Sequence, residues 1–184
     1  MIPKSIVLTS DRTSAKVFWM FTFALLTAVG AQVEIPHVPV PFTAQTLFVL
    51  LAGGLLGSRS GFGSMLAYLI IGTIGLPVFA GLSSGVGKLF GPTGGYLLAF
   101  PVAAFVAGWI TDRNASLLGI TLAMVSALVL LFAAGVAYLN TFYVHDWLRA
   151  LQSGAMIFSW WDVAKLAAAV SITHQYRRRL AARD

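Results

Sequence analysis

The chain has 184 residues, of which 58% are hydrophobic and only 10% are charged, and its mean hydropathy is +0.85. A soluble domain carries about 25% charged residues, so this composition excludes a soluble fold and predicts an all-α polytopic membrane protein. The chain contains no cysteine, which excludes disulfides, thiolate metal sites and a cysteine nucleophile.

The apolar segments predict a bundle of six transmembrane helices in a single membrane domain over residues 1–184. Their approximate bounds are 17–33, 43–57, 62–76, 96–110, 115–140 and 154–176. The second and third segments are short, because fifteen residues at ~1.5 Å each cover about 22 Å of a hydrocarbon core of ~30 Å. Whether these two segments cross the bilayer completely stays open. Residues 141–153 predict an interfacial amphipathic turn.

The first segment follows three basic residues, Lys4, Arg12 and Lys16, an arrangement that is also typical of a signal peptide. Because five further apolar segments follow, we interpret it as a first transmembrane helix. It contains a small-xxx-small pattern at Ala24 and Ala28. Such a pattern allows another helix to approach closely.

Two connections between the segments are rich in residues that break helices. Residues 34–41 contain three prolines within six positions, and residues 77–96 contain six glycines. Irregular backbone at membrane depth persists only against protein or water. We therefore predict two structured outward loops, the second of which forms the lid and one wall of a small-molecule site.

The basic residues sort to one side of the predicted bundle. Nine of the twelve lie at the two ends of the chain or in the turns at 57–61 and 111–114, whereas the opposite side holds only Lys88 and Arg149. This bias predicts a multi-pass protein of a bacterial or archaeal-type cell (inner) membrane, with both termini in the cytoplasm. We expect the Arg177–Arg179 cluster to meet anionic membrane lipid, so the charge requires no nucleic-acid partner.

A charged pair, Asp162 and Lys165, lies within the last span, three residues apart on one helix face. A charge at mid-bilayer costs about 2.5–3.5 kcal/mol on insertion scales, so the pair must face the bundle interior. It is either a mutual ion pair that sets the rotation of the helix, or a pair of ligand contacts. Trp161 beside it is either an interfacial anchor or a ring that stacks on a ligand.

Three more side chains are candidates for ligand contacts. Thr43 and Gln45 stand at the start of the second span, and Tyr96 starts the fourth. Gln45 either bonds a ligand amide or bonds helix to helix. Tyr96 either supplies a phenol to the site or anchors the helix at the interface.

The sequence motifs that are typical of enzymes and cofactor sites are incomplete in this chain. The stretch from Gly81 to Leu89 has leucine at two positions where a phosphate-binding loop needs glycine and Ser or Thr. The three histidines have no metal-binding spacing. We therefore expect no enzyme activity, no metal and no cofactor.

Four stretches together resemble the BioY family, the biotin-binding S components of energy-coupling factor (ECF) vitamin transporters. They are PVPFTAQTLFVLLAGGLLG (39–57), IGLPVFAG (74–81), FGPTGGYLLAFPVAAF (90–105) and the membrane pair Asp162 and Lys165. The resemblance implies a six-helix membrane protein with both termini inside. It also implies high-affinity capture and uptake of biotin through a site open to the outside.

The resemblance also implies roles for individual residues. Asp162 and Lys165 would meet the ureido ring of biotin, and its apolar part would suit Trp161, Phe79 and Tyr96. The candidates for binding the biotin carboxylate are Lys88, Ser83, Ser84, Gly94 and Gly95. Leu97 stands where some family members have an arginine, so the residue that binds the carboxylate stays open.

The implied partners are an ECF coupling transmembrane subunit, which Ala24 and Ala28 would face, and two ATPase subunits that hydrolyse ATP. Two alternatives remain: an S component for another vitamin, and a non-transporting membrane assembly subunit with a structural Asp–Lys pair. Whether the protein transports alone, forms a homo-oligomer when alone, or works only with ATPase partners also stays open.

Overall fold

The computed structural model describes residues 13–155 and 160–182. Within them lie seven α-helices and one short antiparallel hairpin. In chain order these are α1 (Thr13–Gln32), β1 (Glu34–Ile35), β2 (Phe42–Thr43), α2 (Gln45–Leu56), α3 (Ser58–Thr73), α4 (Gly94–Arg113), α5 (Leu117–Leu139), α6 (Trp147–Ala155) and α7 (Trp160–Ala181).

The prediction of a helical membrane protein is confirmed. Three of the described helices are long and apolar enough to cross a membrane: α1, α4, and α5 together with its π-helical continuation to Val144. The other apolar helix, α2, has only twelve residues. It packs against α1, α3, α4 and α7, and ten of its residues are buried. Because α2 is enclosed by protein, its backbone ends need not reach water on both sides of a bilayer.

The region of the predicted amphipathic turn contains a helix of its own. A π-helical turn, Asn140–Val144, ends at His145, which has a left-handed backbone with φ of 54°. Asp146 then starts α6, because its Oδ1 accepts hydrogen bonds from the amides of Leu148 and Arg149. The span predicted over 154–176 therefore corresponds to the end of α6 and to most of α7.

The small-residue pattern on α1 lies against the rest of the chain. Ala24 is buried in the core with 2% of its surface exposed, and Ala28 packs against that core. The outward face of α1 carries large side chains instead, among them Phe18, Phe21 and Leu25. The two alanines consequently let α1 approach the rest of this chain, and the docking of a coupling subunit at this pattern stays a prediction.

The lipid-facing role expected for the whole arginine cluster is also wrong. Arg178 and Arg179 are exposed, but Arg177 is 1% exposed. The Arg177 guanidinium donates to the carbonyl of Gly54 at 2.7 and 3.0 Å and to Asp112 Oδ1 at 2.8 Å. Arg177 thus joins the end of α7 to the ends of α2 and α4.

The irregular segments gather at the other end of the bundle. The hairpin meets α7 where Lys165 Nζ donates to the carbonyl of Thr43 at 2.9 Å. The glycine-rich loop, residues 74–93, meets the end of α5 where Tyr138 donates to the carbonyl of Leu89. The start of α4 meets α6 where the Tyr96 hydroxyl donates to the carbonyl of Gly154 at 2.9 Å.

Candidate ligand-binding site

A cavity opens where these loops meet the helices of the bundle. The empty space between its walls is about 600 Å³, part of which is open to solvent. Its walls come from both loops and from α2, α4, α5 and α7. The lining residues are Val40, Pro41, Phe42, Thr43, Gln45, Thr46, Phe79, Ala80, Lys88, Thr93, Tyr96, Leu97, Phe100, Leu131, Phe132, Asp162 and Lys165.

The charged pair lies in this cavity, in the first turns of α7. Lys165 Nζ is 2.6 Å from Asp162 Oδ1, and the two side chains are 7% and 1% exposed. Spacing of three residues puts them on one face of α7. The ammonium also donates to the carbonyl of Thr43. Each charge is therefore partnered, as burial requires, and both side chains stand in the cavity wall.

A chain of hydrogen bonds continues from this pair across the bundle. Thr43 Oγ1 donates to Gln45 Oε1 at 2.9 Å, and Gln45 Nε2 donates to the Tyr68 hydroxyl at 2.7 Å. The Tyr68 hydroxyl in turn donates to the carbonyl of Val78 at 3.1 Å. These bonds orient the Gln45 amide and tie α2 and α3 to the glycine-rich loop. Gln45 therefore has helix-to-helix bonds and also lines the cavity.

Half of the ten apolar residues that line the cavity are aromatic. Tyr96 meets Phe132 edge to face with ring centroids 6.3 Å apart, and Phe100 lies one helical turn after Tyr96. Phe79 is completely buried, and its ring contacts Tyr68 at 5.5 Å and lies over Gly72, where a Cβ would be 2.1 Å from the ring. A flat apolar ligand fits against such rings.

One hydroxyl in the wall has no hydrogen-bond partner among the described residues. It belongs to Thr46, which lies in the first turn of α2, is 9% exposed and lines the cavity. A buried polar atom without a partner calls for a ligand or an ordered water. Thr46 is thus a further polar contact point near Thr43 and Gln45.

Seven of the twelve substrate-binding candidates from the sequence line the cavity: Thr43, Gln45, Phe79, Lys88, Tyr96, Asp162 and Lys165. Lys88 reaches it from a 3₁₀ turn of the glycine-rich loop, Val86–Phe90. The hydroxyl of Tyr96 is occupied as a donor to Gly154.

The other five candidates do not line the cavity: Ser83, Ser84, Gly94, Gly95 and Trp161. The Ser83 hydroxyl donates to the carbonyl of Ala80, and the Gly94 amide donates to the carbonyl of Gly91. Gly95 lies against Tyr138, where any Cβ would collide with that side chain. The two glycines thus serve the packing of α4, and the amide of Gly94 is already occupied.

Sequence reasoning missed several lining residues. Phe100 follows Tyr96 by four residues and could have been found from helical spacing. Phe132 and Leu131 lie on α5 with no motif around them, so only the packing of α5 against α4 reveals them. No group of three or more histidine, aspartate or glutamate side chains arranged for a metal occurs in the described residues.

Comparison with known proteins places the chain among membrane transporters. The model of the BioY family matches residues 5–182. The biotin transporter BioY of Thermotoga maritima is 40% identical over 156 residues, which cover 85% of this chain and 92% of that protein. The probable biotin transporter BioY of Pyrococcus horikoshii is 40% identical over 153 residues, covering 83% and 90%.

A solved structure has the same fold. It is the crystal structure of the S-component for biotin from an ECF-type ABC transporter, with a TM-score of 0.83, 23% sequence identity, and coverage of 92% of this chain and 95% of that one.

Proposed function

Because this chain belongs to the BioY family, we propose that it captures biotin with high affinity as the substrate-binding membrane subunit of an ECF-type transporter. One observation in the structure carries the proposal. The buried pair Asp162 and Lys165 stands in the wall of a cavity that is also lined by Tyr96, Phe100 and Phe132. Relatives named as biotin transporters are similar over most of their length.

The chemistry of biotin suits both the polar and the apolar residues of this lining. The ureido ring has two N–H donors and one carbonyl acceptor, which match a carboxylate acceptor at Asp162 and an ammonium donor at Lys165. Thr43 and Gln45 hold this end of the site in place. The thiophane ring and aliphatic chain would lie against Tyr96, Phe100 and Phe132.

For the biotin carboxylate we propose Lys88 as the partner. Of the five residues that the sequence offered for this role, Lys88 is the one that lines the cavity in the described structure. It belongs to the loop that covers the cavity, so an ion pair with the ligand would also hold the loop over it. Leu97 lines the cavity as well, but it can make only apolar contacts.

The subunit needs partners for transport. We propose that an ECF coupling subunit and two ATPase subunits supply the energy. The phosphate-binding motif in this chain is incomplete, so ATP hydrolysis must take place on other subunits. The distribution of basic residues supports cytoplasmic termini and a cavity that faces outward. An S component for another vitamin remains the second candidate, since Asp162 and Lys165 could form hydrogen bonds with the donors and acceptors of another vitamin.

Calorimetric titration of biotin into the detergent-solubilised protein tests the proposal. We expect tight one-to-one binding that weakens by more than about 100-fold in the double variant Asp162→Asn, Lys165→Met, because charge-assisted hydrogen bonds contribute about 1.5–3 kcal/mol each. The matched control is Asp146→Asn, Arg149→Met, which changes an exposed ion pair of the same spacing on α6 and should leave binding unchanged.

The possible outcomes separate the candidates. Absence of any heat from folded wild-type protein would refute biotin as the ligand, and the same titration with other vitamins would test the second candidate. Tight binding that survives in the Asp162, Lys165 variant would keep biotin as the ligand but make the charged pair structural.

A further inference from the structure

A single amide side chain links the end of α1 to the glycine-rich loop. Gln32, the last residue of α1, donates from Nε2 to the carbonyl of Phe79 at 3.1 Å and accepts at Oε1 from the amide of Leu82 at 3.0 Å. Nε2 also donates to the carbonyl of Ala28 within α1. Gln32 therefore bonds two backbone groups of a loop that lies 47 and 50 residues further along the chain.

The segment that Gln32 holds is part of the cavity wall. Phe79 and Ala80 line the cavity, and the following turn passes through Gly81 and Leu82, both with left-handed backbones at φ of 67° and 52°. A left-handed backbone is unfavourable for leucine. The Leu82 side chain is 68% exposed, so apolar packing does little to hold it. The hydrogen bond to Gln32 supports this conformation.

The same segment has a second anchor on its inner side. Tyr68 donates to the carbonyl of Val78 and accepts from Gln45, and both of these side chains are buried. Gln32, in contrast, is an exposed residue, and its hydrogen bond with the Leu82 amide is exposed, whereas its bond to the Phe79 carbonyl is partly buried. Hydrogen bonds that are exposed to solvent open more readily than buried ones. The loop consequently has a fixed inner edge at Val78 and a releasable outer edge at Leu82.

We propose that Gln32 is a positioning residue whose side chain holds the outer edge of the glycine-rich loop over the cavity and thereby slows the release of ligand. This inference rests on the proposed function, since it concerns the release of biotin from the same cavity. Gln32 itself lies outside the cavity wall. Its loss is therefore expected to change the dissociation rate of the ligand more than the contacts within the site.

Stopped-flow kinetics of biotin binding tests the proposal with three variants. Gln32→Ala removes both bonds to the loop and is expected to raise the dissociation rate about tenfold, as the loss of one or two hydrogen bonds predicts, with the association rate changed by less than about threefold. Gln32→Glu keeps an acceptor for the Leu82 amide but loses the donor to Phe79. Its dissociation rate should therefore lie between those of the wild type and Gln32→Ala. The control Gln175→Ala removes an exposed glutamine of α7 and should match the wild type.

Hydrogen exchange of the ligand-free proteins gives a readout that does not depend on biotin. The Leu82 amide should exchange faster in Gln32→Ala than in the wild type and in Gln175→Ala, while the helices keep their protection. A wild-type dissociation rate in a Gln32→Ala protein that binds biotin would refute the role of Gln32 and leave the proposed function intact. Unchanged exchange at Leu82 would refute it even if no variant bound biotin.

Discussion

At the scale of single residues, the polar groups buried in the apolar bundle carry most of the functional information. Asp162 and Lys165 are paired with each other in the cavity wall, and Gln45 is oriented by Thr43 and Tyr68. Thr46 differs from these, because its buried hydroxyl lacks a hydrogen-bond partner in the described structure. In a cavity wall such a group is best explained as one that a ligand or water satisfies.

The substitution Thr46→Val tests this explanation, because it removes the hydroxyl and preserves the shape of the side chain. We expect biotin affinity to fall about three- to tenfold, the effect of one neutral hydrogen bond, as measured by calorimetric titration. Thr173→Val is the matched control, since the buried Thr173 hydroxyl also lacks a partner among the described residues but packs against Gly54, away from the cavity. Equal effects of the two substitutions would contradict a ligand contact at Thr46.

At the scale of elements, α7 is held by polar contacts near both of its ends. Near its start Lys165 donates to Thr43, and near its end Arg177 donates to Gly54 and Asp112. Asp112 Oδ2 also accepts from the Ser58 amide at 3.2 Å, which adds the start of α3. Because these contacts have fixed partners, they set both the rotation and the depth of α7, and with them the position of Asp162 in the cavity.

The substitution Arg177→Met is expected to lower the free energy of unfolding by about 3–5 kcal/mol, the range for breaking a buried ion pair by removing one partner. Thermal unfolding in detergent would measure the change. Arg178→Met, at the exposed neighbouring position, should change stability by less than about 0.5 kcal/mol. Similar melting temperatures for the two variants would show that the buried contacts of Arg177 contribute little.

At the scale of the whole molecule, the two ends of the bundle differ in structure. The hairpin, the glycine-rich loop and α6 meet at the end that contains the cavity, whereas the opposite end has close turns at Gly57 and at residues 114–116. At the close turns, Gly108 touches the backbone of Ser58 so tightly that a Cβ would lie 2.4 Å from its nitrogen. The irregular segments around the cavity and the close turns are thus separated along the bundle axis.

The topology that we propose can be tested by labelling single cysteines, because the natural sequence contains none. Ser84→Cys, in the exposed part of the glycine-rich loop, should react with a membrane-impermeant maleimide added to intact cells. Asn114→Cys, exposed in the turn between α4 and α5, should react only after the membrane is permeabilised. The reverse pattern would place the cavity on the cytoplasmic side.

Local signals in the sequence were sufficient to identify the membrane class, the family and the buried charged pair. A charge in an apolar span is costly wherever the span lies, so Asp162 and Lys165 stand out without knowledge of their neighbours. The two irregular loops stand out for a similar reason, because proline and glycine act on the local backbone. The resemblance to the BioY family likewise rests on contiguous strings such as residues 90–105.

Only the tertiary structure decided which faces of the helices meet. The spans are apolar all round, so their sequences carry little information about the direction of packing. For this reason the burial of Ala24 in the core was not apparent, and Arg177 was expected at the lipid but is buried between α2, α4 and α7. The position of Phe132 in the cavity wall and the bonds of Gln32 to the glycine-rich loop depend on contacts between residues far apart in the chain. Such contacts form only when the helices pack together.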